Sequence, residues 1–143
     1  MAAQELVREL DMPVVIHDRE SKGECMEILK EKGISNGVIH CFSGSAETAA
    51  EFLKMGFHIS FTGVLTFKNA KKAIRALEAI PMERLLIETD CPYMAPEPFR
   101  GTRNDSSLVY RVAEKIAEVK GVSVEDTVRI TCENALRLFK VGE

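Results

Sequence analysis

The sequence predicts an α/β fold assembled from βαβ units around a mostly parallel sheet. Two observations predict it. Short apolar runs alternate with charged amphipathic stretches along the chain, and the runs begin roughly 20–30 residues apart, a spacing that suits βαβ crossovers. Both a doubly wound sheet and a (β/α) barrel meet that spacing. No G-x-G-x-x-G or P-loop string follows any run, which argues against a nucleotide-binding Rossmann site.

The elements follow in order. Pro13-Val14-Val15-Ile16 is β-branched and bounded by proline, so it reads as a buried strand. Ser21 to Lys32 reads as a helix, with Ser21 and Glu24 as a capping box and Gly33 as the stop. Gly37-Val38-Ile39 is a second strand. A helix capped by Ser45 runs through Met55, and Gly56 ends it. Phe57 to Phe61 is a third strand. Lys68 to Ile80 carries apolar residues at Ala70, Ala73, Ile74, Leu77 and Ile80, a helical period. Leu85-Leu86-Ile87 is a fourth strand. Cys91 to Asp105 holds three of the five prolines and has no periodicity, and a loop of that length is commonly functional or disordered. The chain then ends in helices over Ser106 to Lys120, Ser123 to about Ile130, and about Cys132 to Phe139.

A length of 143 residues favours one domain, spanning 1–143. The 45% hydrophobic and 29% charged fractions are those of an ordinary globular chain. No apolar run approaches the ~20 residues of a membrane span. Glu5, Arg8 and Glu9 interrupt what would be a signal-peptide core. A net charge of −3 argues against binding duplex DNA through a broadly basic surface. Cys25, Cys41, Cys91 and Cys132 are scattered, with no C-x-x-C pair, so a reduced cytoplasmic protein is the simplest expectation.

Three polar residues stand at the carboxyl ends of these strands: His17, His40 and Asp90. Barrels and open α/β sheets place their sites at those ends. Two imidazoles and a carboxylate converging on one mouth make a ligand set for a divalent metal such as zinc or manganese. One histidine at a strand end is commonly structural. Two at the same place in consecutive units, with an aspartate in a later one, favour a shared role. His58 falls inside a strand and reads as structural or surface. Glu88 either orients a ligand from behind or is an ordinary paired carboxylate. Arg100, Arg103 and Asn104 lie in the proline-rich loop, where a guanidinium fork suits phosphate, although such arginines are commonly just solvated. Arg19 is better placed, two residues after His17. Ser43, Gly44 and Ser45 offer amides to an anion or a plain helix cap.

Taken together, Pro13-Val-Val-Ile-His17-Asp-Arg19, Gly37-Val-Ile-His40-Cys-Phe-Ser-Gly44, Ile59-Ser-Phe-Thr-Gly63 and Leu85-Leu-Ile-Glu-Thr-Asp90-Cys-Pro-Tyr93 closely resemble the TatD family. Arg100-Gly-Thr-Arg103-Asn104 and Asn134-Ala-Leu-Arg-Leu-Phe139 continue the match. The resemblance implies a TIM barrel and divalent-metal-dependent phosphodiester hydrolysis, with Mg, Mn or Zn as the metal. It implies deoxyribonuclease activity on single-stranded DNA. It makes His17, His40 and Asp90 metal ligands, places Asp90 and Arg19 among the catalytic residues, and sets the Arg100 to Asn104 loop along the rim.

The family's amino-terminal His-x-His strand and its Gly-Glu-Ile-Gly-Leu-Asp type motif are not found, and Met1 to Leu10 looks like the helix that precedes the His17 strand. A TIM barrel needs ~250 residues and eight strands. Four strands in 143 residues predict a half barrel, the carboxyl half, with flanking helices. Weak single-metal binding and little or no nuclease activity are then expected of the chain by itself. Its two unpaired sheet edges would favour self-association or pairing with a missing amino-terminal half. A half barrel kept as a non-catalytic binding or assembly module is the alternative. A small-amide amidohydrolase has less support, because none of the four strand cores holds a lysine.

Overall fold

A computed structural model describes residues 6, 7 and 9–142. The expected helix over Met1 to Leu10 therefore falls largely outside the described residues, although Leu6, Val7 and Glu9 have helical backbone. Four strands form one sheet: β1 (Val14–His17), β2 (Gly37–His40), β3 (His58–Phe61) and β4 (Leu85–Ile87). They lie side by side in chain order and every pairing is parallel, so each connection crosses over through a helix. The helices are α1 (Glu24–Lys32), α2 (Ala46–Lys54), α3 (Lys71–Ala79), α4 (Val109–Lys120) and α5 (Val124–Leu138). This is half of a (β/α) barrel in its strand number and order. No helix among the described residues is long and apolar enough to cross a membrane.

Strand pleating decides which side chains meet the helices. Ile39, Ile59, Phe61 and Leu85 point to the helix side and are fully buried there. They pack with Leu29 of α1, Phe52 of α2, Leu77 of α3 and Val112 and Ile116 of α4. Edge-to-face aromatic pairs, Phe42 with Phe61 and Phe52 with Phe57, fill the widest parts of this core. Among the described residues, α5 covers part of the opposite face, where Leu138 packs on Val38 and Leu86. Asn134 fixes that helix, since its buried amide donates to the Met82 and Leu85 carbonyls, both at 2.9 Å.

Several boundaries differ from the sequence reading, each for a local reason. The capping box at Ser21 does not form. Lys22 and Gly23 both take left-handed backbone (φ 50 and 98), and α1 starts only at Glu24. The helix expected from Lys68 begins at Lys71, because a 3-10 turn over Gly63–Thr66 and a further turn occupy the intervening chain. The last two expected helices are one. Thr131 does not break α5, because its hydroxyl donates back to Thr127 O at 2.8 Å within the helix. Ser45 caps α2 as expected, accepting from the Thr48 amide.

The proline-rich segment has no regular structure, yet it is tied to the body of the protein. Glu97 N–H donates to Thr66 Oγ1, and Asn104 donates through its amide to Tyr93 O and through its backbone to Pro92 O. Gly63 permits this approach. A Cβ there would lie 2.6 Å from Met94 O and 2.9 Å from Pro96 N.

Candidate metal centre

The parallel register builds the site. His17 and His40 are register partners on β1 and β2, so their rings leave the same face at the same height. The ring centroids are 5.5 Å apart and tilted by 36°. Asp90 follows β4 and reaches back toward β2, placing Oδ1 3.3 Å from His40 Nε2. On the other side of the ring, His40 Nδ1 meets Glu88 Oε2 at 2.6 Å. The second oxygen, Glu88 Oε1, accepts the Cys41 backbone N–H at 2.7 Å and the Ser60 hydroxyl. Glu88, which follows β4, thus bridges to side chains and backbone of β2 and β3.

The site residues differ in exposure. The side chains of His40, Glu88 and Asp90 are part-buried, and His17 is exposed on edge strand β1. Cys41 lies just behind them, with Sγ 3.4 Å from Thr62 Oγ1. Burial pushes its thiol pKa up, and the neighbouring Asp90 and Glu88 charges act in the same direction, so Cys41 is a poor thiolate.

The expected three-residue ligand set is only partly gathered. Among the described residues, no group of three or more His, Cys, Asp or Glu side chains could hold a metal ion as placed. The reason is position. His17 belongs to the edge strand β1, and its ring lies beside that of His40. The His40–Asp90 pair does fit. Two donors each about 2.1 Å from one ion lie ~3.0–3.4 Å apart at octahedral or tetrahedral angles, which brackets the observed 3.3 Å.

The remaining expected residues separate into two groups. Arg19 is exposed in the bend after β1, and Arg103 is exposed in the proline-rich loop. Arg100 lays its guanidinium 4.2 Å from the centre of the Phe67 ring. Asn104, expected on the rim facing phosphate, is instead 2% exposed, and its amide nitrogen is engaged with Tyr93 O inside the loop. That correction follows from packing: the loop closes over Asn104. His58 is half-buried on the open face, with Nδ1 buried and without a partner. Ser60 and the Cys41 amide were missed by the sequence reading. The signal available was the run Ile59-Ser60-Phe61, where a lone polar residue alternates with buried apolar ones. A cavity of about 630 Å³ lies beside the site, between the β1–α1 and β2–α2 loops. Its charged lining is mainly acidic, with Asp18, Glu20, Glu47 and Glu51 against Lys22 and Lys72, and it includes neither His40 nor Asp90.

Comparison with known proteins gives a consistent picture. A family model described as TatD related DNase matches residues 1–140. The expectation of a carboxyl half alone is not borne out by that match. The chain is 51% identical over 139 residues to an uncharacterized metal-dependent hydrolase, YabD, of Bacillus subtilis, covering 96% of this chain and 54% of that protein. It is 44% identical over 136 residues to an uncharacterized metal-dependent hydrolase, YcfH, of Escherichia coli K12, covering 94% and 51%. The crystal structure of YJJV, a TatD homolog from Escherichia coli, superposes with a TM-score of 0.89 at 29% identity, over 96% of this chain and 54% of that one. A TatD family hydrolase from Entamoeba histolytica shares the fold, with a TM-score of 0.85 at 24% identity over 96% and 54%. The chain spans about half the length of the curated relatives it matches.

Proposed function

Because the chain belongs to the TatD related DNase family, we propose that it is part of a divalent-metal-dependent phosphodiester hydrolase acting on single-stranded DNA. The observation that carries the reading is the His40–Asp90 pair, 3.3 Å apart at the carboxyl ends of β2 and β4. Relatives named as metal-dependent hydrolases support the metal.

His40 and Asp90 would hold the ion, with His17 as the third ligand once its ring turns toward them. When bound, a divalent metal lowers the pKa of a water and offsets charge on phosphoryl oxygens. The chain's own residues orient the phosphate around that point. Asp90 would face the phosphate, and Arg19, exposed in the bend after β1, would supply a bidentate donor to a phosphate oxygen. Arg103 and Arg100 meet the strand further out along the rim. The donors that these residues do not gather by themselves would come from outside the 143 residues, a second copy of the chain being one source.

A second reading, a non-catalytic half-barrel module, is favoured by one observation, the lack of a closed three-donor group among the described residues. One experiment separates the two: zinc titration of the purified chain beside degradation of a single-stranded oligonucleotide with added Mg, Mn or Zn. One weakly bound ion per chain, lost in His40→Ala and Asp90→Asn, with hydrolysis near background, is the expected result. Zinc binding indifferent to both variants overturns the site. Strong hydrolysis abolished by His40→Ala upholds the nuclease and overturns the incompleteness.

A further inference from the structure

We propose that Glu88 is a positioning residue: it holds His40 as the Nδ1–H tautomer and so leaves Nε2 unprotonated, facing Asp90. This deepens the metal-site reading, yet it is measured on metal-free protein, so the two can fail separately.

The geometry carries the inference. A neutral imidazole has one N–H, and an ionised carboxylate can only accept. A separation of 2.6 Å between Nδ1 and Glu88 Oε2 cannot be two lone pairs in contact, so the ring proton lies between them. Of the two carboxylates on the ring, Glu88 is the nearer, at 2.6 Å against 3.3 Å for Asp90, so the single N–H of a neutral ring is held at Nδ1. Glu88 itself cannot swing away. Its other oxygen takes the Cys41 N–H and the Ser60 hydroxyl, which ties the carboxylate to β2 and β3. Cys41 adopts a left-handed backbone (φ 47), disfavoured for a residue with a Cβ, at the very turn that aims its N–H at Glu88. An ordinary structural carboxylate would be satisfied by those two donors alone. Here the second oxygen is spent on the histidine, the arrangement by which carboxylates orient metal-ligating imidazoles.

Glu88→Gln is the decisive variant. Its amide oxygen can still accept from Cys41 and Ser60, while its NH2 would donate to His40 Nδ1 and drive the ring proton to Nε2. The chain has three histidines, so long-range ¹H–¹⁵N spectra at about pH 8, where ordinary imidazoles are neutral, can be assigned with His17→Asn and His58→Gln. The expected wild-type spectrum shows His40 protonated at Nδ1 and bare at Nε2. Glu88→Gln reverses this with circular dichroism unchanged, and it weakens zinc binding by about 10–100-fold. Ser60→Ala, which leaves the Nδ1 bond in place, keeps the wild-type tautomer. A wild-type Nε2–H form, protons on both nitrogens, or an unchanged tautomer in Glu88→Gln overturns the proposal. If Glu88→Gln does not fold, the wild-type and Ser60→Ala spectra decide it.

Discussion

The two faces of the sheet are built to different ends. On the helix side, Ile39, Ile59, Phe61 and Leu85 are sealed under four helices. On the other side, the same strands carry His17, His40, His58 and Ser60, and Val15 is 60% exposed. Apolar cover on that side comes from the end of α5 over Val38 and Leu86. The contrast teaches that stability and chemistry are segregated by the pleat: alternate residues of one strand hold the fold together or face the site.

The largest effect expected from this segregation comes from the sealed face. Phe52→Ala in α2 removes a ring with no exposed surface that packs edge-to-face on Phe57. A loss of about 3–5 kcal/mol is expected, read from the urea midpoint, with His40 and Asp90 still paired in any residual folded fraction. A loss below about 1 kcal/mol would mean that this face is not the stabilising one.

His58 sharpens the comparison from the open side. Burial, together with Arg84 and Arg137 nearby, holds its imidazole pKa below the ordinary value. The unfolded chain therefore takes up a proton at His58 before the folded protein does. Its contribution to stability is intact above the ordinary histidine range near ~6.5 and is lost as pH falls through that range toward the lower folded value. Urea midpoints from about pH 7 to about pH 5 should fall less steeply in His58→Gln than in wild type. Parallel slopes would show that His58 is as solvated folded as unfolded.

Much of the sealed face was legible in the sequence, and much of the open face was not. Runs such as Val14-Val15-Ile16 and Leu85-Leu86-Ile87 declare strands by composition, and Ser45 declares a cap by local chemistry. The late start of α1 was hidden because a left-handed Lys22–Gly23 pair displaced a plausible capping box. The continuity of α5 was hidden because Thr131 can satisfy its hydroxyl inside a helix. His17, His40 and Asp90 could be found at strand ends without knowing the fold. Glu88 could be named as a carboxylate that orients a ligand or is simply paired, but its bridge to His40, Cys41 and Ser60 could not, since it depends on three strands standing side by side in one register. Nor could the inward turn of Asn104, which is set by how the proline-rich loop closes on itself.

The smallest effect on stability, and the sharpest on assembly, belongs to Val15 on edge strand β1. The proposed completion of the site by a second copy of the chain requires this face and its edge to take that copy. Sedimentation equilibrium on wild type and Val15→Lys tests it directly. The account predicts a wild-type mass that rises above 15.9 kDa with concentration, while Val15→Lys stays at the monomer mass with an unfolding free energy changed by no more than about 0.5 kcal/mol. A well-folded wild type that remains at 15.9 kDa across the whole concentration range would contradict it.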